Sequence, residues 1–213
     1  MIFNPEDLKT DNVIIIKGEN GVGKTTLAKH LIERKGFTIQ YHLGNLDYGN
    51  SKNIKKISKS IQSNGGIFMQ IGFYEKGIGI IIDEIIPSIK KNILKELTKL
   101  ANYASNKIMI IYVITRTDDI LGIKKLIKQN TLIILKNPSE KQIKHIIEIK
   151  ESNKKKQKKL FKELKNIKDF RTLYANLSAK LINGSGKRDK IIKNDNIHDL
   201  ALQNLTLKDE KIS

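Results

Sequence analysis

Five short runs divide the chain: "NVIIIKG" at 12–18, "FTIQYHL" at 37–43, "GIGIIIDE" at 77–84, "KIMIIYVIT" at 107–115 and "TLIILK" at 131–136. Most are apolar without interruption, the pattern of a strand covered on both faces and not of one that is half exposed. Between them lie segments with helical spacing. "KTTLAKHLIERKG" is expected to be a helix ending at Gly36, and "SKNIKKISKSIQSNGG" sets Ile54, Ile57 and Ile61 on one face before Gly65 and Gly66 stop it. "PSIKKNILKELTKLANYA" reads as a helix opened by Pro87, and "IKKLIKQ" as a short one. Covered strands alternating with helices predict a Rossmann-like parallel sheet in an αβα sandwich.

From Asn137 the pattern changes. "NPSEKQIKHIIEIKESNKKKQKKLFKELKNIKDFRTLYANLSAKLING" has no strand period and predicts three helices, the first with a capping box in "PSEKQ". The expected organisation is an αβα domain over 1–137, a small helical domain over 138–184, and a basic tail or short appended helix over 185–213.

Composition narrows the chemistry. The 213 residues suit one ordinary domain plus a small one. No cysteine is present, which excludes disulfides and thiolate metal sites, and His30, His42, His145 and His198 show no metal-ligand spacing. Asp and Glu in "MIFNPEDLKTDN" do not fit a signal peptide, and no run reaches the ~20 apolar residues of a membrane span. A soluble protein of the cytoplasm or nucleus, without a membrane partner, is expected. The formal net charge of +18 points to a polyanion such as nucleic acid. It is equally the signature of Lys-, Ile- and Asn-rich codon usage, since only four of the basic residues are arginines.

Two motifs carry the chemistry. "GENGVGKT", Gly18 to Thr25, fits G-x-x-x-x-G-K-[ST] between a strand and a helix. Its glycines let backbone N–H groups surround phosphate oxygens at a helix N-terminus, so Gly18, Glu19, Asn20, Gly21, Val22, Gly23, Lys24, Thr25 and Thr26 are the expected nucleotide cradle. Lys24 would reach the β- and γ-phosphates and Thr25 would meet Mg²⁺. The second motif is the end of "GIGIIIDE". Asp83 at the edge of a buried strand suits the Mg²⁺ shell, and Glu84 beside it suits polarisation of the attacking water. A kinase would need no water-activating carboxylate, so ATP hydrolysis with Mg²⁺ is the expected reaction.

Two further elements are weaker by spacing alone. The end of "KIMIIYVITRTDD" offers Thr115 or Thr117, with Arg116 between them, to touch the γ-phosphate or the water. In "IKDFRTLYANLSAKL", Phe170, Leu173, Leu177 and Leu181 form an apolar face, and Arg171 near the helix start could swing over the γ-phosphate. Spacing alone reads Arg171 more readily as a surface arginine.

In this order the four elements resemble the Walker A, Walker B, sensor 1 and sensor 2 of AAA+ ATPases. Within that superfamily the chain resembles clamp loaders of the replication factor C type, most of all their large subunit. "GFTIQYHLGNLDYGNSKNIKKISKSIQSN" resembles the family's strand, "LNASD"-like turn and basic helix, with Asn45 and Asp47 in the turn. "ITRTDD" resembles the large subunit's "CTAND" strand end and implies sensor 1 at Thr117. "KDFRTLYANL" resembles the "GDLRxAINDLQ" helix and implies Arg171 as sensor 2. The likeness spans about residues 12 to 182. It departs from the family in "IKKLIKQNTLIIL", which lacks the arginine that small subunits donate to a neighbour's nucleotide. Glu19 and Asn20 also replace loop prolines, and within these 213 residues no counterpart of the family's adenine-packing segment or collar is expected.

The resemblance implies an ATPase subunit of a hetero-oligomer. With other clamp-loader-like subunits it would load a sliding clamp on primer–template DNA during replication. Lys52, Lys55, Lys56 and Lys59 of "SKNIKKISKS" would then face DNA phosphates. The alternatives are another AAA+ replication ATPase, either a helicase loader or an initiator, and a scaffold subunit that binds nucleotide without hydrolysing it.

Overall fold

The computed structural model describes residues 12–43, 54–59, 61, 77–85, 91–115 and 124–184. The stretch 44–53, which carries the "LNASD"-like turn, and Arg116, Thr117 and the tail from 185 lie outside the described residues.

All five predicted strands form: β1 (Val13–Gly18), β2 (Thr38–Leu43), β3 (Ile78–Ile85), β4 (Ile108–Thr115) and β5 (Thr131–Leu135). They make one parallel sheet in the order β2-β3-β4-β1-β5. Helices α1 (Lys24–Arg34), α2 (Lys91–Ala101) and α3 (Lys124–Lys128) belong to this layered part, and residues 54–59 are also helical.

Two buried clusters explain the apolar runs. Ile14 and Ile16 point with Ile81, Ile111 and Val113 to the face covered by α1, where Leu27, Ala28, Leu31 and Ile32 meet them. Ile15, Ile80, Ile82, Ile110 and Tyr112 point to the other face, covered by Ile54 and Ile61 and by Ile93, Leu97 and Leu100 of α2. The period-2 alternation of strand side chains thus divides the apolar runs of β1, β3 and β4 between two interiors, whereas β2 (TIQYHL), at the sheet edge, stays partly exposed. Tyr112 is fully buried and donates its hydroxyl proton to the Leu97 carbonyl at 2.8 Å, which satisfies its one polar atom.

The helix after β3 ends earlier than "KLANYA" predicts. It stops at Ala101, and the N–H groups of Asn102, Tyr103 and Ala104 bond three residues back. Asn102 is a weak helix former, and the tightened i→i+3 turn completes the end.

Beyond β5 come three helices: α4 (Glu140–Lys150), α5 (Lys154–Leu164) and α6 (Phe170–Gly184). The capping box read in "PSEKQ" is present: Ser139 accepts from the Gln142 N–H, and Gln142 accepts from the Ser139 N–H at 2.7 Å. The three helices share a hydrophobic cluster of their own, with Ile143, Ile146, Ile147, Leu160, Leu164, Leu173 and Leu177 buried.

Among the described residues no helix is long and apolar enough to cross a membrane.

Candidate functional site

The sheet order places the site. β1 runs centrally with β4 on one side and β5 on the other, so loops leaving the carboxyl ends of neighbouring strands diverge there, and ligands of parallel sheets bind in such a crevice. A cavity of about 300 Å³ opens at this end.

The β1–α1 loop forms one wall. Gly18 closes β1 beneath the Leu135 carbonyl of β5, and a side-chain carbon at that position would lie 2.6 Å from this oxygen. Gly23 has φ of 93° and is the N-cap of α1, without a side-chain cap. The left-handed backbone suits glycine, and the helix start keeps its orphan N–H groups for an anion. A carbon on Gly23 would meet nothing within 4 Å, so this side of the loop opens on free space. Lys24 is 7 % exposed, and its ammonium donates to the Glu19 carbonyl at 2.6 Å across the loop. Burial holds that ammonium below the usual lysine range, and Arg171 pushes the same way, while Asp83, Glu19 and Glu84 oppose the shift.

The opposite wall is the end of β3. Asp83 is 4 % exposed and serves as a hub. Its Oδ2 accepts from the Thr25 hydroxyl at 2.6 Å and from the Tyr41 hydroxyl at 2.7 Å, and its Oδ1 accepts from the Glu84 N–H at 2.8 Å. Successive side chains of a regular strand face opposite sides of the sheet, so Asp83 and Glu84 should not share a cavity. They do share one, because the strand breaks its own rule there. Glu84 has φ of 58°, the left-handed region, and the β3–β4 register shifts between Ile82 and Ile85. This irregularity re-aims the glutamate, as β-bulges beside active sites do.

β4 separates β3 from β1, as the sensor reading of its tip requires. Thr115 stands beside Gly18 in the β1–β4 register and lines the cavity. Thr117, the position implied by the resemblance, lies outside the described residues.

The helical segment closes the far side. Ile146 of α4 and Phe170, Arg171 and Tyr174 of α6 line the cavity. Burial raises the Tyr174 hydroxyl above its usual pKa. Contact with the phosphate loop is direct. The Phe170 N–H donates to the Gly21 carbonyl at 3.1 Å, and Asp169, which caps α6 through the Thr172 N–H at 2.7 Å, fills the place of a Gly21 side chain. Gly21 therefore needs its missing Cβ twice, for φ of 77° and for the carboxylate 2.6 Å from where that carbon would stand.

The structure thus brings together Asn20, Gly21, Val22, Gly23, Lys24, Thr25, Thr26, Asp83, Glu84, Thr115 and Arg171 of the sequence-derived set. Gly18 lies directly beneath them at the loop's start, and Glu19 contributes its carbonyl to Lys24.

Residues 10–115 match the family model described as an AAA domain. The chain carries an AAA-type ATPase domain. No curated protein matches the chain. In the solved structures it is similar to a chain of the E. coli MS115-1 HORMA:CdnC:Trip13 complex, at 11 % identity and a TM-score of 0.58, over 94 % of this chain and 76 % of that one. That likeness is one of fold.

The AAA domain implies a nucleotide with Mg²⁺, and the donors here suit that ion. The Thr25 hydroxyl and the Asp83 carboxylate meet beside Lys24 as hard oxygen groups, and Mg²⁺ takes one or two such protein ligands and keeps several waters. Among the described residues no group of three or more His, Cys, Asp or Glu gathers into a dedicated metal cage.

Sequence reasoning missed Tyr41. The residue is 42 % exposed on β2, and the ammonium of Lys29 lies over its ring at 5.5 Å, while its hydroxyl reaches Asp83. Burial of the hydroxyl end and the bond to the carboxylate raise its pKa well above the usual value, so it stays a proton donor. No local signal marked it, because the contact depends on strand pairing: β2 pairs with β3 so that Leu43 stands beside Asp83, which sets Tyr41 two residues back on β2.

Proposed function

We propose that the chain is an ATP-hydrolysing subunit in which residues 138–184 act as a lid over the nucleotide. The observation behind this reading is the convergence of Lys24, Thr25, Asp83, Glu84, Thr115 and Arg171 on one cavity. Lys24 exchanges the Glu19 carbonyl for phosphate oxygens. Thr25 and Asp83 would hold Mg²⁺, which when bound would offset the charge of the β- and γ-phosphates. Glu84 accepts the proton of a water that attacks the γ-phosphorus. The bond to the β-phosphate oxygen breaks, and ADP and phosphate result. Thr115 orients that water or the γ-phosphate from the tip of β4. Ile146, Phe170 and Tyr174 supply an apolar wall for the base.

Arg171 pairs with the γ-phosphate and loses its partner on hydrolysis, so the nucleotide state becomes a lid position. Glu84→Gln in the assembled complex tests this directly. Turnover is expected to fall by about 10²–10³-fold while ATP stays bound. Unchanged turnover would leave a nucleotide-holding scaffold subunit in its place.

The finer part of the proposal is the client. The resemblance over 36–64 and in the α6 helix supports a large-subunit-like role inside the cell, in a hetero-oligomer that places a sliding clamp on primer–template DNA. Lys55, Lys56 and Lys59 are exposed on helical residues 54–59, and Lys52 lies outside the described residues. Purification from the host with ATP and Mg²⁺, followed by native mass spectrometry, checks it. Small clamp-loader subunits or a clamp are expected, and a co-purifying helicase would replace the clamp with the loader alternative.

A further inference from the structure

Lysine is common throughout this chain, but its density is not even. α5 carries six lysines and one glutamate in 11 residues, a formal +5. α4, equally long, has three lysines against two glutamates, and α1 and α2 each carry a net +2. Continued to Lys168, the α5 stretch holds eight lysines and one glutamate, or +7 of the chain's +18, in 15 residues. A codon preference spreads lysine over every exposed face and does not explain this concentration.

All eight of these lysines are exposed, and Glu163, the acid among them, is engaged by Lys180 of α6, which lowers its pKa. The charge is therefore not cancelled locally. It is also placed against helix electrostatics. Lys154, Lys155 and Lys156 occupy the first turn of α5, where the helix dipole disfavours cations, and no acidic residue stands in that turn. Asn153 caps the helix by accepting from the Lys155 and Lys156 N–H groups, so the lysines are not needed to start it. Helix stability gives no reason for three cations there, whereas a polyanion does.

We infer that the exposed face of α5, from Lys154 to Lys168, is a sequence-independent binding surface for the phosphate backbone of nucleic acid. The partner follows from the side chains. Leu160, Leu164 and Phe161 are turned into the core shared with α4 and α6, which leaves α5 no apolar face to sink into a bilayer. The charges are lysine ammoniums, strongly hydrated point charges suited to phosphate, with no arginine fork within 154–168 to read a base edge. Its one aromatic residue, Phe161, is packed in that core and offers no stacking platform. This surface is separate from the lysines of residues 54–59, and it does not depend on the clamp-loader reading. The shared core links it to Ile146, Phe170, Arg171 and Tyr174 at the nucleotide cavity, and only that linkage rests on the ATP-site reading.

The test is fluorescence anisotropy of the full chain, without nucleotide, on a labelled duplex and a labelled single strand over a range of salt. The variant is Lys154→Gln, Lys155→Gln, Lys158→Gln and Lys159→Gln. Its control removes the same charge from Lys95, Lys107, Lys128 and Lys136, all exposed elsewhere. The α5 variant is expected to lose at least about tenfold in affinity and to flatten the log–log salt slope by about 3, with duplex sequence immaterial. The control is expected to lose far less. The variant's melting temperature should not fall, because glutamine keeps helix propensity and relieves the first turn. Equal losses in variant and control would overturn the proposal in favour of net charge alone. So would binding that is unaffected, a loss that tracks a lower melting temperature, or tighter binding to phosphatidylserine vesicles than to DNA. Loss through Lys55, Lys56 and Lys59 but not through α5 would sink this surface and leave the clamp-loader reading standing.

Discussion

The β1–α1 wall of the cavity and the β3 wall reach the same space by different means. On the first, composition does the work: Gly18, Gly21 and Gly23 remove the side chains that would block β5, α6 and the open phosphate side, and α1 supplies an electrically positive end. No described residue there other than glycine takes up a left-handed backbone. On the second wall an ordinary glutamate is held in the left-handed region and a strand register is broken, so that two adjacent carboxylates share one side. A left-handed non-glycine residue costs ~1–2 kcal/mol. The phosphate wall is conformationally relaxed and the carboxylate wall is strained, as the proton-accepting role proposed for Glu84 would require.

Removing a charged partner from the relaxed wall gives the largest effect on nucleotide binding. Lys24→Ala should weaken ATP binding by roughly 30–150-fold, the worth of a charge-assisted hydrogen bond of about 2–3 kcal/mol, with an unchanged circular dichroism spectrum. Titration calorimetry reads this, and a loss under threefold would mean that the loop amides alone hold the phosphates. A smaller effect is expected where the strained wall is braced. Tyr41→Phe removes one of the two hydroxyls on Asp83 Oδ2 and should raise the Mg²⁺ concentration for half-maximal nucleotide binding by about tenfold. An unmoved midpoint would reduce the Tyr41 bond to packing. The smallest effect bears on the strain itself. Glu84→Gly should raise stability by about 1 kcal/mol, or roughly 2–4 °C in Tm, where Glu84→Gln should not. Equal melting points for the two variants would show that the bulge stores no strain at Glu84.

The same contrast explains what could be read from the sequence. The five strands, the phosphate loop and the Asp83–Glu84 pair were legible, because periodicity and motif spacing are local properties. The β2-β3-β4-β1-β5 order was not, and everything that depends on it was hidden. Tyr41 reaches Asp83 only because β2 lies beside β3. The seating of Asp169 on Gly21 joins residues 148 positions apart, which no window of sequence displays. Glu84 shows a further limit: its letter gave the chemistry, but regular strand geometry would have turned it away from Asp83. Arg171 was the reverse, since spacing favoured a bare surface residue and the fold of α6 sets it on the cavity.

The docking of α6 on the phosphate loop has a practical consequence for dissecting this machine. Gly21 is a component of the loop and, through its carbonyl and its missing side chain, of the joint with the helical segment. Any residue placed there is a wedge in that joint as well as a change in the cradle, so its phenotype cannot be apportioned between the two. Gly23 has open space around it, and a lesion there belongs to the cradle alone. The pair, two residues apart, separates the cradle from the docking of the helical segment more cleanly than any deletion of the helices.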